Sequence, residues 1–230
     1  MTSSVSPIRV VVVGTGTSVG KTWIAREVLA ELRRRDITAL GLKPVESGVT
    51  EGATTDADRL ALQSARAPAA PPYRLREPLS PHLAARRENR DIDADTILTY
   101  VRSQESSDTD NPPEVVLVET AGGLFSPLDA SFTNWEIACA LDPARWLLVA
   151  PDALGVLHDV TATLGAARAR GRAPDLVVLS AAREPDPSTG TNAAELQRLG
   201  LVARPFALGR DDPAGISSLV DALVAPLPAL

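Results

Sequence analysis

The sequence predicts an α/β fold, a parallel-sheet core with helices on both faces, and three observations predict it. Short, wholly apolar stretches recur along the 230 residues. Stretches of helical length separate them. The first apolar stretch runs straight into a glycine-rich loop and a helix start, RVVVVGTGTSVGKT at Arg9–Thr22. Strands without polar alternation are buried on both faces, which is the habit of parallel sheets covered by crossover helices.

Taken in order, the strand candidates are Val10–Val13, Ala39–Leu42, Val115–Val118, Trp146–Ala150 and Leu176–Leu179, with a weaker one at Leu201–Ala203. The intervening helical patterns are Trp23–Arg35, Asp56–Arg66, Trp135–Leu141, His158–Arg170 and Asn192–Leu199. Two stretches break the alternation. Residues 67–89 (APAAPPYRLREPLSPHLAARREN) are rich in Pro and Arg and predict a long functional loop. Residues 103–113 (SQESSDTDNPP) predict a solvated linker, and residues 1–7 a disordered N-terminus. No internal repeat or second composition class is present, so a single domain over 1–230 is expected. In open parallel sheets ligands bind beyond the carboxyl ends of the strands. Thr15–Thr22, Lys43–Gly48, Glu119–Gly123 and Pro151–Gly155 all fall there, so one crevice is expected to gather four distant segments.

Composition narrows the function classes. A hydrophobic content of 44% suffices for a substantial core. A net charge of −6 argues against nucleic acid and against anionic membrane as partners. A single cysteine, Cys139, excludes an internal disulfide and suits a reducing compartment. The opening MTSSVSP lacks the basic and apolar regions of a signal peptide, and no apolar run nears the roughly 20 residues of a membrane span. A cytoplasmic location is expected.

The loop after the first strand carries the chemistry. A Walker A pattern places glycine five positions before Gly20, where this chain has Thr15, with Gly14 and Gly16 on either side. The physical requirements survive that slip. Small residues let successive backbone N–H groups turn inward around phosphate oxygens, and a helix start at Gly20 adds its positive end. Lys21 reaches the outer phosphates, and Thr22 offers a hydroxyl to magnesium. Of 23 basic residues only Lys21 and Lys43 are lysine. A chain that otherwise uses arginine points, at those two positions, to a need for a compact ammonium. Metal-bridged phosphates also need carboxylates. Glu119 follows an apolar strand directly, the place of a Walker B-type acid. Asp58 opens the helix after the second strand's loop; Asp56 competes with it and reads as a helix N-cap.

GTGTSVGKT, GLKPVESG, DADRLALQ, EPLSPH and VETAGGLFSPL, in that order between Gly14 and Leu128, resemble dethiobiotin synthetase. The resemblance implies a P-loop NTPase-like, homodimeric ligase of biotin biosynthesis that uses ATP, or another nucleoside triphosphate, and Mg2+. Its substrates are 7,8-diaminopelargonic acid and CO2. A substrate amine becomes a carbamate, the γ-phosphate activates it as a carbamic-phosphoric anhydride, and the second amine closes the cyclic urea. By resemblance Thr22, Asp58 and Glu119 hold magnesium. Gly16, Thr17, Ser18, Val19, Gly20, Lys21, Thr22 and Trp23 hold the nucleotide, with Asp58, Glu119, Thr120, Ala121, Gly122, Ser180 and Ala181. Lys21 and Lys43 flank the reacting groups, with hydroxyls from Thr17 and Ser47. Pro81, Gly122, Leu154, Gly155 and His158 border the second substrate, the last three from the other subunit.

The chain departs from the family at three places. Thr120 stands where the family carries glycine, which predicts crowding at the phosphate edge. Leu154-Gly155-Val156-Leu157-His158-Asp159 replaces a Leu-Gly-x-x-Asn-His run. Ser180 replaces the asparagine that reads adenine, which leaves base selectivity open. Two other classes compete: a partition-type ATPase switch, and the synthetase domain of an amidoligase. The first lacks here the extra lysine early in the phosphate loop, and the second lacks room for a glutaminase domain.

Overall fold

The computed structural model of the chain describes residues 6–106 and 111–225. The elements follow one another as β1 (Ile8–Gly14), α1 (Lys21–Arg34), β2 (Ala39–Leu42), β3 (Val45–Ser47), α2 (Asp56–Ala61), β4 (Tyr73–Leu75), α3 (Pro81–Arg87) and α4 (Ala94–Ser106). They continue as β5 (Val115–Glu119), α5 (Asn134–Ala140), β6 (Arg145–Pro151), α6 (Val156–Ala169), β7 (Leu176–Ser180), α7 (Asn192–Arg198), β8 (Phe206–Leu208) and α8 (Pro213–Val224).

The valines of β1 set the layering. Val10 and Val12 pack on one face of the sheet with Leu29 of α1, Leu60 of α2 and Leu219 of α8. Val11 and Val13 pack on the other with Ala84 of α3, Val101 of α4, Ile137 of α5, Val160 of α6 and Leu196 of α7. Each of the four valines is at most 1% exposed, and full burial of a side chain of this size is worth about 1.5–3 kcal/mol. An uninterrupted valine run therefore belongs in the middle of a sheet covered on both sides. β1 is placed there: six parallel strands lie in the order β2-β5-β1-β6-β7-β8. The order reverses around β1, which opens a crevice at the carboxyl ends of β1 and its neighbours.

Five strands fall where the apolar stretches predict them, each within three residues at either end. The sixth does not. The N–H groups of Leu201 and Val202 both turn back to Leu196 O and close α7, so Leu201–Ala203 cannot enter the sheet. Pro205 follows, and the edge strand begins only at Phe206.

The expected loop at 67–89 is partly ordered. Tyr73 and Leu75 are buried on alternate positions of β4, which pairs in parallel with β3 in a separate two-stranded sheet. Pro81 then starts α3 at a position where a missing N–H costs nothing. The first four residues of the polar stretch 103–113 are the last turn of α4; residues 107–110 lie outside the described residues. So do residues 1–5 of the expected disordered N-terminus.

Candidate active site

The phosphate loop is built by two left-handed residues, Ser18 (φ 59°) and Gly20 (φ 95°), before α1 begins at Lys21. Alternation of this kind turns N–H groups to one side and forms an anion-binding concavity at a helix start. Gly20 is doubly constrained, since a Cβ there would also lie 2.6 Å from Ser180 Oγ. Gly14 is needed for a different reason: a Cβ on it would stand 2.9 Å from Val19 and 3.1 Å from Lys21 Nζ. The missing Walker glycine has no cost. Thr15 simply extends the sheet, its N–H donating to Val149 O at 3.0 Å.

Both lysines of the chain enter this crevice and both are buried. Lys21 donates to Gly16 O at 3.0 Å. Burial lowers its pKa to about 8; the Lys43 charge adds to that effect, while Glu119 and Asp56 oppose it. Burial thus outweighs the carboxylates near Lys21, and phosphate oxygens would supply further counter-charge. Lys43, just past β2, donates to Glu119 Oε1 and to Asp56 Oδ2, each at 2.7 Å. Burial alone would lower its pKa, but the two carboxylates outweigh it and the ammonium is held charged.

Glu119 ends β5 with no exposed surface. Its Oε1 also accepts the Thr22 hydroxyl at 2.8 Å, while Oε2 is buried without a hydrogen-bond partner. Thr22, Lys43 and Glu119 thus meet as the sequence predicts. Asp58 does not join them. It sits one turn along α2 in a capping box, accepting from Thr55 N at 2.9 Å while Thr55 Oγ1 accepts from Asp58 N. Those bonds, the Thr55 backbone first, hold its pKa down. The N-cap is Thr55, and the carboxylate turned toward Thr22 and Lys43 is that of Asp56. Burial would raise the pKa of Asp56, but Lys43 and the hydroxyl of Thr22 draw it below the usual range.

Among the described residues no group of three or more His, Cys, Asp or Glu is placed to cage a metal. Two carboxylates, one of them with the unpartnered oxygen Glu119 Oε2, and one hydroxyl match the sparse protein coordination of Mg2+, which takes its other ligands from phosphates and water.

The remaining expectations divide. Thr17, Ser18, Val19, Gly20, Trp23, Ser47, Pro81, Ala121, Gly122, Ser180 and Ala181 line the crevice, whose volume is about 1020 Å³. That is at the top of the range for single small-molecule sites, about 300–1,000 Å³, and leaves room for a nucleotide with a second substrate. Thr120 corrects the expectation of crowding: its hydroxyl turns away to Val12 O at 3.2 Å, and it does not line the crevice. Ser180 donates to Val19 O at 2.7 Å, so its hydroxyl braces the phosphate loop instead of facing a base. Ser47 donates to Leu79 O at 2.7 Å, which leaves its lone pairs as acceptors. Leu154, Gly155 and His158 stand outside the crevice on exposed surface, Leu154 at 84%.

Sequence reading missed several lining residues, among them Ser126, Arg26, Arg183 and Arg210. Ser126 lies three residues after Gly123, and its Oγ accepts from Gly123 N at 2.8 Å. The arginines carry no local signal in a chain where arginine is everywhere.

A parallel sheet, a left-handed phosphate loop and a strand-end acid at the loop's threonine define a P-loop nucleotide-binding protein. A family model described as an AAA domain matches residues 9–206. The fold alone is shared with a ParA family ATPase from Chlorobium tepidum (TM-score 0.52, 13% identity, 96% of this chain and 93% of that one). It is likewise shared with the signal recognition particle receptor FtsY from Elizabethkingia anophelis (TM-score 0.52, 16% identity, 94% and 65%). Sequence relatives are more informative. The ATP-dependent dethiobiotin synthetase BioD of Anaeromyxobacter sp. strain Fw109-5 is 39% identical over 194 residues, 82% of this chain and 83% of that protein. The enzyme of the same name from Caulobacter vibrioides strain NA1000 is 34% identical over 93% of this chain and 98% of its own. The chain belongs to the dethiobiotin synthetase family.

Proposed function

We propose that this protein is an ATP-dependent dethiobiotin synthetase, joining CO2 to 7,8-diaminopelargonic acid and closing the ring. The observation that carries the reading is the contact of Lys43 with Glu119, beside Thr22 and Lys21 of the phosphate loop. The reaction needs a cation between two anions, and a buried ammonium beside the phosphate loop supports that reading.

An amine of the substrate loses a proton and adds to CO2, giving a carbamate. A carbamate oxygen then takes the γ-phosphoryl group, and ADP leaves. The second amine attacks the carbamate carbon and expels phosphate. Both reacting partners of the middle step are anions, and preorganised cations lower that barrier. Lys21 faces the phosphates from the loop. Lys43 faces the gap between carbamate and phosphoryl group from the end of β2. The Ser47 hydroxyl, with its proton committed to Leu79 O, accepts from a substrate N–H. Thr17, Gly122 and Pro81 also line the crevice, and the resemblance assigns Pro81 to the substrate's alkyl chain.

Thr22, Asp56 and Glu119 would hold magnesium, which would supply positive charge to offset that of the phosphates. Asp56 thus takes the place that the resemblance gave to Asp58.

The protein works as a homodimer in the cytoplasm. Leu154, Gly155 and His158 have no role within their own crevice, and their exposure suits a reach into the partner's. Among the described residues no helix is long and apolar enough to cross a membrane. The partition-switch alternative rests on fold likeness alone and on no residue of this site.

The test is direct: incubation with diaminopelargonic acid, bicarbonate, magnesium and ATP, with product identified by mass. Formation of dethiobiotin and stoichiometric ADP is expected. ADP release that ignores the diamine would overturn the reading.

A further inference from the structure

Glu46 is a buried charge beside the site that this mechanism leaves unused. It is 5% exposed, in the middle of β3, and no step above needs a third acid. Its Oε2 accepts from Ala57 N at 3.2 Å, at the second residue of α2. Its Oε1 is buried with no hydrogen bond but lies 3.4 Å from Arg74 Nε. The β3–β4 register sets Glu46 directly opposite Arg74. Arg74 Nη2 continues to Asp58 Oδ2 at 3.6 Å.

These contacts converge on one residue. Asp56 lies between Thr55, whose N–H is held by Asp58, and Ala57, whose N–H is held by Glu46. The backbone on both sides of Asp56 is therefore anchored by a carboxylate, and Arg74 ties the two carboxylates together. The Asp56 side chain is left with Oδ2 on Lys43 and Oδ1 on Arg59 at 2.9 Å. A six-residue helix has little rigidity of its own, so the aim of its first carboxylate depends on what anchors its first turn.

We propose that Glu46, Arg74 and Asp58 are positioning residues which fix Asp56 as a magnesium ligand. The two-stranded β3–β4 sheet exists, on this reading, to hold the first turn of α2 in place. It also accounts for the paired acids of DADRL: one faces the metal, and the other anchors the turn that presents it. The inference rests on the magnesium assignment made above.

The experiment reads metal affinity without turnover. Binding of Mn2+, as a paramagnetic stand-in for Mg2+, is followed by electron paramagnetic resonance with a non-hydrolysable ATP analogue present. The proteins compared are the parent, Glu46→Gln, Arg74→Met, Arg74→Lys and Asp56→Asn. Residues that orient a metal ligand typically change affinity by about 10–100-fold. Glu46→Gln, nearly isosteric and expected to fold, and Arg74→Met should each weaken Mn2+ about tenfold, with Arg74→Lys between them and the parent. Nucleotide affinity measured without metal should not change. In turnover the same variants should need about tenfold more Mg2+ and recover to within about threefold of the parent at saturation. Unchanged Mn2+ affinity in Glu46→Gln and Arg74→Met would overturn the proposal, as would a rate loss that saturating Mg2+ does not restore. Parent-like Mn2+ binding by Asp56→Asn would instead overturn the magnesium assignment beneath it.

Discussion

Lys43→Arg is the substitution that most sharply tests how this site works. The Lys43 side chain is 8% exposed, and its single nitrogen makes two 2.7 Å contacts, to Glu119 Oε1 and Asp56 Oδ2. Arginine keeps the charge but replaces a point donor by a longer planar fork whose hydrogen bonds point in fixed directions. If Lys43 only neutralised its surroundings, Arg would serve, and it serves at every other basic position of this chain except Lys21. The proposed mechanism asks for more, since in it one ammonium addresses the carbamate oxygen and the transferring phosphoryl group across a narrow gap. A displacement of about 1 Å in reacting groups costs on the order of a hundredfold, which is about 2.7 kcal/mol of transition-state stabilisation.

Lys43→Ala separates that effect from folding. Removing the ammonium leaves Glu119 buried without its cation, and breaking a buried pair costs about 3–5 kcal/mol. For a chain of this size that lowers Tm by roughly 6–20 °C. Lys43→Arg should unfold close to the parent, bind nucleotide as the parent does, and lose at least about a hundredfold in kcat. Steady-state product formation, nucleotide titration and thermal unfolding on the three proteins decide it. An Arg variant within tenfold of the parent rate would show that Lys43 belongs to the electrostatic background, and the positional argument would be wrong.

Further outcomes follow from the same geometry. Asp56→Asn should cut turnover by about a hundredfold or more, whereas Asp58→Asn should cost about tenfold, recoverable with magnesium; equal losses at all magnesium concentrations would contradict the placement of the two acids. Because the Ser180 hydroxyl is tied to Val19, CTP and GTP should support turnover within about a hundredfold of ATP, the span that one lost base contact of about 1–3 kcal/mol allows; stricter preference for ATP would place a base reader elsewhere. Ser180→Ala should destabilise by about 1 kcal/mol and raise KM for every nucleotide alike, since it loosens the loop and not a base contact. Light scattering should show a dimer, and Leu154→Asp should shift it toward monomer with loss of activity; a fully active monomer would refute the shared site.

How much of this was legible in the sequence depends on how local the physics is. The valine run, the glycine-flanked loop and the two lysines could be read because strand burial, phosphate geometry and the Lys–Arg distinction act within a few residues. The β3–β4 sheet could not, because three-residue strands carry no periodicity, and their pairing is fixed by Tyr73 and Leu75 packing on a core assembled from distant elements. Ser180 was located but its role was not, since nothing near it in sequence shows that Val19 lies within 2.7 Å. The placement of Asp56 and Asp58 is the more instructive case. In T-T-D-A-D both acids suit a helix start, and treating Asp56 as the cap leaves Asp58 for the metal. Yet Thr55 followed by an acid three residues on is itself the capping-box spacing. Once Thr55 is the N-cap, Asp58 is committed to the Thr55 N–H, and its carboxylate points back along the helix instead of across the crevice. Asp56, at the first helical position, is the acid left facing Lys43 and Thr22. Choosing the cap therefore chooses which aspartate faces Lys43 and Thr22, and the Thr55 hydroxyl decides between the two.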